Sequence, residues 1–458
     1  MNVRKILALA LALAVLLTAI YLVDRRDRAR RSAPGTLLDL AADAVERIEL
    51  RNAHGLFAFA RGDVGWRLEK PLAARADKVV VEGILDNFCP LKYDRLIAER
   101  GTEMKDFGLD RPEIELKLFA RGRPAATVLL GTKNAIDDSS YARLAEGERV
   151  AAIAGYRRND LEKDLFAFRD KKFFAIDPAS VTALQFRSAA GDLALARKQD
   201  RWFLERPLRS LARGEKVDDL LSAASLLEAT AFLPLAGSAG RAGFGLDRPL
   251  LTAEFATPLG ARRIEIGRAG EATYALADGS AEVCAIGRDF PAKFAGAAAD
   301  WREKKVARFF AFDVRELSVR QGSFQAVLRK DDSGSWGFSR PAAGRRPDEE
   351  KVNTLLSALA DLEAASFVDD PGALAGIARQ EAAARVTLMT EDPAEPGKRS
   401  ELALEFYPPQ GEEAVVRDPS LPYAFRVGRA ILGKLPAKID DIAAAPGPGG
   451  PAPLPAGR

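Results

Sequence analysis

Histidine and cysteine are almost absent from this chain, which contains one histidine and two cysteines among 458 residues. The single histidine, His54, lies in a predicted hairpin turn, so a catalytic triad based on histidine would depend on one residue expected at the surface. Neither Cys89 nor Cys284 has neighbours in sequence with zinc-ligand spacing. The chain therefore has few residues for catalysis or metal binding through histidine or cysteine.

Nucleotide and nucleophile motifs are also missing. The sequence contains no Gly-x-Ser-x-Gly, Ser-x-x-Lys, phosphate-binding Gly-x-x-x-x-Gly-Lys or dinucleotide fingerprint, so we expect no cofactor. The formal charge of +3 is small beside 68 basic and 65 acidic residues. Because no basic stripe is interleaved with aromatics, we expect no nucleic-acid partner.

Carboxylates are plentiful, but their spacing is uninformative. Three adjacent pairs stand out: Asp137-Asp138, Asp218-Asp219 and Asp331-Asp332. Adjacent side chains diverge in a strand or a helix. We therefore assign no catalytic or metal-binding residue, and a metal site at one of these pairs is the minor alternative.

Long apolar runs are absent except at the amino terminus. Residues 6–23 carry no charge and would span about 27 Å as a helix, close to the thickness of a bilayer core. We predict a transmembrane anchor with a basic flank over residues 1–31; a cleaved signal peptide and a soluble core helix are the alternatives. The five arginines after the run favour a cytoplasmic domain.

The rest of the chain reads as three diverged copies of a unit of about 135 residues. The landmarks are Trp66, Trp202 and Trp336, each followed five residues later by a proline, Pro71, Pro207 and Pro341. A helical apolar series follows each proline: Val81, Ile84, Leu85, Phe88 and Leu91; Val217, Leu220, Leu221, Ala224 and Leu227; Val352, Leu355, Leu356, Leu359 and Leu362. Each series predicts the core face of one amphipathic helix.

Other landmarks repeat downstream. The segment Phe107-Gly108-Leu109-Asp110-Arg111-Pro112 recurs as Phe244-Gly245-Leu246-Asp247-Arg248-Pro249 and is lost in the third copy. Tyr141, Tyr274 and Tyr423 each precede an alanine and open a strand-like segment. Phe168-Arg169-Asp170-Lys171-Lys172 matches Trp301-Arg302-Glu303-Lys304-Lys305. Cys89 and Cys284 occupy non-equivalent positions, which excludes matching disulfides within the repeats.

These patterns predict an α+β fold, in which antiparallel hairpins carry packed helices after an N-terminal transmembrane helix. The predicted repeats cover residues 40–176, 177–311 and 312–441, the last degenerate. The first hairpin turns at residues 52–55. Residues 442–458 are rich in proline, glycine and alanine, which predicts a disordered tail.

Together, the apolar N-terminal run, the Trp-to-Pro spacing, the helix, Phe-Gly-Leu-Asp-x-Pro and the Phe-Arg-Asp-Lys run resemble the bacterial family of domain of unknown function 4340. The resemblance covers residues 40–310 and, more weakly, 311–441. It implies a membrane-anchored envelope protein, often encoded beside ABC transporter components of the gliding-motility type. It also implies a location at the inner membrane with periplasmic repeats, against the arginine-rich flank.

Each landmark also has a plain structural explanation. The tryptophans are expected to fill the core. Gly108 and Gly245 can supply a positive φ, and Asp110 and Asp247 can bind local amides, so turn chemistry accounts for that motif. The basic run after Phe168 fits a solvated helix end, with a phospholipid or partner contact as the alternative.

Two classes of function remain open. The first is a non-catalytic, membrane-anchored accessory or scaffold protein that binds permease or accessory subunits of an ABC-type transport system. The second is an envelope glycan- or lipid-binding protein or hydrolase that uses carboxylates between repeats. Glycosidic chemistry would need two carboxyl groups about 5–10 Å apart. The sequence offers many acids and no way to choose among them.

Overall fold

The computed structural model describes residues 15–22, 25, 34–99, 103–235, 240–331, 333–341, 344–391 and 398–445. In this part of the chain 28 strands form one two-stranded sheet and three large sheets. The expected α+β fold of helices packed on separate hairpins is therefore wrong. Segments with alternating apolar and polar residues predict local hairpins in the sequence. In the structure these strands also pair with strands distant in sequence, so the architecture is mostly antiparallel β-sheet.

The first large sheet has nine strands in the order β5-β4-β3-β2-β8-β9-β10-β11-β7. Its hairpin between β2 and β3 turns at Asn52 and Gly55, which confirms the expected turn. The strands, with the small pair β1 and β6, are β1 Gly35–Thr36, β2 Val45–Asn52, β3 Gly55–Gly62, β4 Gly65–Lys70, β5 Ala74–Arg75, β6 Lys92–Tyr93, β7 Arg95–Ala98, β8 Ile114–Ala120, β9 Arg123–Lys133, β10 Ser139–Leu144 and β11 Val150–Ala154.

The second large sheet also has nine strands, in the order β15-β14-β13-β12-β17-β18-β19-β20-β16. Position by position this is the order of the first sheet. Its strands are β12 Ala183–Ser188, β13 Gly191–Lys198, β14 Arg201–Arg206, β15 Ser210–Leu211, β16 Ala231–Pro234, β17 Leu251–Thr257, β18 Gly260–Ala269, β19 Ala272–Ala277 and β20 Glu282–Ile286.

The third large sheet has eight strands in the order β23-β22-β21-β25-β26-β27-β28-β24. It follows the same path without a counterpart of β5 and β15 among its described residues. Its strands are β21 Val314–Gln321, β22 Phe324–Lys330, β23 Trp336–Arg340, β24 Ser366–Val368, β25 Ala384–Glu391, β26 Arg399–Phe406, β27 Glu413–Arg417 and β28 Ala424–Gly428. Each predicted repeat range contains one large sheet, and the repeat boundaries themselves stay a prediction.

The helices lie where the apolar series place them. Helices Lys78–Phe88, Gly214–Ser225 and Glu349–Ala360 bury the predicted core positions, for example Val81 and Ile84 in the first. The other α-helices are Gly155–Leu161, Leu165–Phe168 and Pro371–Ala378. The 3₁₀ helices are Ala42–Ala44, Met104–Phe107, Pro178–Ser180, Ala242–Phe244, Phe290–Phe294, Ala298–Trp301, Arg429–Lys434 and Ile439–Asp441.

Residue contacts divide the chain into two compact units. The first comprises Met1–Phe173, Glu228–Pro234 and Cys284–Ile286, and the second comprises Phe174–Leu227, Leu235–Val283 and Gly287–Arg458. In the first unit the helix Lys78–Phe88 packs on one face of the sheet, where it shares a core with strand residues such as Ile48 and Phe59. The second unit contains a core of the same kind, built on β21 to β28 and the helix Glu349–Ala360.

The predicted membrane anchor is not found. Of residues 6–23, only 15–22 are described; they are helical, and the others lie outside the described residues. No helix in the described ranges is long and apolar enough to cross a membrane. The predicted single-pass inner-membrane location with periplasmic repeats is therefore wrong.

The predicted disordered tail begins too early. Ile442 and Ala443 are buried, and Ile442 packs with the core of the third sheet. The backbone N–H of Asp348 donates to the carbonyl of Ile442 at 2.9 Å, which ties this segment to the start of the last repeat helix. Residues 446–458 of the predicted tail lie outside the described residues.

Candidate functional site

The three landmark tryptophans are buried in equivalent strands, at 5%, 3% and 8% exposure for Trp66, Trp202 and Trp336. Each lies directly opposite a basic residue of the preceding strand, whose charged group covers the indole ring. The pairs are Arg61 and Trp66 at 5.1 Å, Arg197 and Trp202 at 5.9 Å, and Lys330 and Trp336 at 5.2 Å from the ring centroid. Packing and cation–π contact account for these residues without a ligand.

The Phe-Gly-Leu-Asp motif forms a tight turn against the neighbouring sheet. Gly108 and Gly245 have φ values of 65° and 67°, in the left-handed region that glycine adopts without strain. The leucines that follow them are buried, whereas Asp110 and Asp247 are exposed. The motif is a folding element with a surface carboxylate at its end.

Sequence reasoning missed the partners of this turn. A Cβ on Gly131 of β9 would overlap the carbonyl oxygen of Phe107, and one on Gly267 of β18 would overlap that of Phe244. Both glycines therefore permit a close backbone approach. The signal in the sequence is a glycine 24 residues after Phe107 and another 23 residues after Phe244, each inside a strand.

The repeated tyrosines are not all equivalent. Tyr141 and Tyr274 lie inside β10 and β19, and their rings contact Phe107 at 4.8 Å and Phe244 at 5.1 Å. Tyr423 precedes β28, which corresponds to β11 and β20 and is therefore one strand later in the sheet. The sequence alignment of the copies predicts Tyr423 in the strand that corresponds to β10 and β19, whereas it precedes the next strand of the sheet. The spacing misleads because the segments between strands differ in length in the third copy.

The aromatic-arginine runs are not solvated helix ends. Arg169 and Arg302 are only 8% and 3% exposed. The guanidinium of Arg169 lies 3.6 Å from the ring centroid of Phe232, and that of Arg302 lies 3.6 Å from the ring centroid of Phe367. The predicted interpretation is therefore wrong for the arginines, each of which contacts an aromatic residue of a strand more than sixty residues later. The lysine that ends each run is exposed.

Arg302 has the most complete set of partners. Its two terminal nitrogens donate to the carboxylate of Asp369 at 2.7 and 2.9 Å, and its Nε donates to Ser210 Oγ at 3.0 Å. Its guanidinium also lies 4.8 Å from the ring centroid of Tyr423. The planar, forked geometry of arginine suits this combination of a bidentate pair and stacking.

The Tyr423 hydroxyl completes this cluster. It accepts a hydrogen bond from the backbone N–H of Leu211 at 3.1 Å. Burial raises the pKa of Tyr423 above its ordinary value, so the hydroxyl stays protonated at neutral pH. The cluster therefore joins β15, β24 and the residue before β28 inside the second unit.

A cleft of about 1410 Å³ opens beside Arg302 in the second unit. Its walls carry both signs of charge. The basic lining residues are Arg213, Lys216, Arg302, Lys304, Lys305 and Arg308, and the acidic ones are Glu215, Asp300, Glu303, Asp313, Asp361, Glu363 and Glu391. Lys216 lies 4.2 Å from the ring centroid of Trp301, and burial lowers its pKa. We call this feature the charged cleft.

Two aromatic side chains lie exposed at the charged cleft. Phe310 is 67% exposed and Phe312 is 66% exposed. Their rings stack with centroids 5.4 Å apart and an interplanar angle of 18°. This pair was not singled out in the sequence because exposure depends on which neighbouring residues turn inward.

The other predicted candidates are not brought together. His54 is exposed in its hairpin turn, and neither Cys89 nor Cys284 forms a disulfide. The Ser139 hydroxyl donates a hydrogen bond to the Asp137 carboxylate and thereby lowers the pKa of Asp137. This local contact accounts for Asp137 as part of a bend in the chain. In the described ranges no three histidine, cysteine or acidic residues are grouped to hold a metal ion, and Asp332 lies outside those ranges.

The fold defines a protein class made of successive antiparallel sheets of one topology, each with a buried tryptophan and one core helix. The chain belongs to the family described as domain of unknown function (DUF4340), whose model matches residues 66–249 and 202–378. The two matches begin at Trp66 and Trp202, the first two predicted landmarks. The family resemblance drawn from the sequence is thus confirmed.

Other comparisons add little. No curated protein matches the chain. A DNA polymerase sliding clamp and a DNA polymerase III subunit beta, both from Pseudomonas aeruginosa, are each 6% identical, with 86% of this chain and 94% of the other covered. Their TM-scores of 0.15 and 0.13 are too low to support an argument about fold.

Proposed function

We propose that this protein is a non-catalytic accessory or scaffold subunit that binds components of an ABC-type transport system. The observation that carries the scaffold role is the Arg302 cluster, in which one buried guanidinium ties Ser210, Asp369 and Phe367 together. This tie joins β15 of the second sheet to the end of β24 in the third sheet, beside the charged cleft. Repeated units that are held rigidly offer extended contact surfaces.

The transport partner rests on the family resemblance. The chain belongs to the family. The resemblance implies that members of this family are often encoded beside ABC transporter components. The charged cleft adds a surface suited to protein contact, since exposed aromatic side chains line it and aromatic residues are enriched at interfaces.

Co-purification tests the proposal. An affinity-tagged chain, expressed from its own locus and isolated after mild cross-linking, should co-purify with an ABC permease and ATPase. The matched control is a tagged chain carrying Arg302→Met and Asp369→Leu, which loses the tie without leaving a buried charge and should recover less of both subunits. Isolation of the unmodified chain without either subunit would contradict the proposal.

A carboxylate-based glycan activity is the second candidate, and the seven acids of the charged cleft favour it. It predicts that soluble cell-envelope glycan fragments bind the purified chain or are hydrolysed by it, with loss of the signal in Glu303→Gln. Glu303 is chosen because its carboxylate lies in the cleft, 3.4 Å from Arg308. Unchanged behaviour of Glu303→Gln and of a second cleft variant, Glu363→Gln, would remove this candidate.

A further inference from the structure

The exposed pair Phe310 and Phe312 needs an explanation that core packing does not give. The exposed apolar side chains of Ile136 and Leu259, by contrast, project singly from a bend and a turn. Single exposed apolar residues are ordinary, whereas adjacent exposed aromatics mark contact surfaces. Two phenylalanines stacked with 5.4 Å between their centroids present a continuous apolar surface at the charged cleft.

The pair is held in place by its own segment. Inward and outward side chains alternate, because Phe309 and Ala311 pack against the core while Phe310 and Phe312 remain outside. The segment is anchored on both sides, since Val306 N–H donates to the carbonyl of Leu362 at 2.9 Å. At the other end, Lys330 Nζ donates to the carbonyl of Phe312 at 3.2 Å.

The same segment presents exposed cations. Lys304, Lys305 and Arg308 are exposed, and all three line the charged cleft. A ligand that covers the phenylalanines would therefore have three basic side chains available in the same cleft. Carboxylates next to an apolar side chain meet that requirement by charge complementarity.

The opposite charges in the cleft decide the kind of partner. Asp361 and Glu363 lie in the same lining, and an anionic lipid surface would meet them as like charges. A lipid surface is also flat, whereas this site is a cleft. A peptide segment can place carboxylates near the cations and keep them away from the acids, so a protein partner fits better.

We propose that Phe310, Phe312 and the basic side chains of Lys304, Lys305 and Arg308 form a docking site for an extended segment of a protein partner. That segment carries an apolar or aromatic side chain flanked by carboxylates. The inference rests on the proposed scaffold function, because it names the surface through which the scaffold would bind. The stacked rings act as an apolar anchor, and the cations select the partner.

Photocross-linking tests the site in the full chain. A photoreactive benzoyl-phenylalanine replaces Phe310 in one version and, in the control, Leu259, which is exposed and does not line the charged cleft. The cross-linked segment is sequenced by mass spectrometry. The expected result is one protein segment with acidic residues beside an apolar one, found from position 310 and not from position 259. Cross-links to lipid alone, or equal cross-links from both positions, would overturn the proposal.

A synthetic peptide of the cross-linked segment then gives the affinity. Phe310→Ser with Phe312→Ser should weaken binding by at least about tenfold, as expected for aromatic anchors. Lys304→Glu with Lys305→Glu should also weaken binding, and a peptide with its acids changed to amides should lose the dependence on these lysines. Leu259→Ser should have no effect. Equal affinity for all variants would contradict the docking site.

The two proposals can fail separately. One outcome is that transporter subunits co-purify in equal amounts with the unmodified chain and with the chain carrying Phe310→Ser and Phe312→Ser. In that case the docking site is wrong and the transport role stands. If the cross-linked peptide belongs to a protein outside any transport system and binding follows the variants, the docking site stands and the proposed transport role is wrong.

Discussion

At the scale of single residues, buried groups explain more of this chain than reactive ones. Cys89 follows the first core helix and is fully buried. Burial, together with the charge of Asp86, raises the pKa of its thiol to about 11. The thiol is therefore protonated at neutral pH, whereas a reactive cysteine needs its thiolate.

This pKa gives a prediction on pH dependence. In a Cys284→Ser chain the Cys89 thiolate should appear, by its ultraviolet absorbance, with a midpoint near pH 11. Because the folded-state pKa lies above the ordinary value of 9.0, this group stabilises the fold fully below about pH 9. That contribution is lost as pH rises through about 11.

The control for this prediction is Asp86→Asn. Removing the second cause should lower the midpoint slightly and leave it above 9.0, since burial is the larger cause. Asp43→Asn should not move it, because Asp43 is not a cause of this shift. A midpoint near 9.0 in the folded, unmodified chain would show that the thiol is not desolvated.

At the scale of elements, the turn motif depends on glycines in the strand it touches. Gly267→Ala should lower the free energy of unfolding by about 1–3 kcal/mol, because a Cβ there overlaps the Phe244 carbonyl oxygen and the backbone must shift. Gly131→Ala should act in the same way against Phe107. Urea unfolding followed by tryptophan fluorescence measures both effects.

A glycine in open space provides the matched control. Gly83 lies within the helix Lys78–Phe88, and a Cβ there meets nothing within 4 Å. Gly83→Ala should therefore raise stability by about 0.5–1 kcal/mol through helix propensity. If Gly267→Ala were as harmless as Gly83→Ala, the close approach of turn and strand would be disproved.

At the scale of the whole molecule, the second unit depends on the Arg302 cluster. Arg302→Met should lower stability because Asp369 loses its bidentate partner and Phe367 loses the stacked guanidinium. A fully buried pair broken on one side costs about 3–5 kcal/mol. We expect a smaller loss, because Asp369 keeps 40% of its side chain exposed to water.

The exposed pair Arg187 and Asp192 serves as the comparison, since these side chains are 77% and 50% exposed. Arg187→Met should leave stability almost unchanged, because water screens an exposed ion pair. Arg302→Lys should fall between Arg302→Met and the unmodified chain, because lysine keeps the charge and loses the fork. Similar urea midpoints for Arg302→Met and Arg187→Met would exclude a stabilising tie.

The sequence by itself determined the local features of this protein. The repeats, the three core helices and the turn glycines follow from periodicity and from residues with special backbone freedom, which act within a few residues. The family assignment also follows from these landmarks. The charged cleft could not be predicted, because its lining comes from segments nearly two hundred residues apart.

Only the tertiary structure decided how the strands are joined. Pairing of β2 with β8, or of β12 with β17, depends on residues more than sixty positions apart. The alternation of apolar and polar residues in a strand does not specify which other strand it pairs with. The same holds for Arg169 and Arg302. A basic run predicts exposure to solvent, but each of these arginines is covered by an aromatic ring that is distant in sequence. Local periodicity specifies an element, and long-range packing specifies what that element contacts.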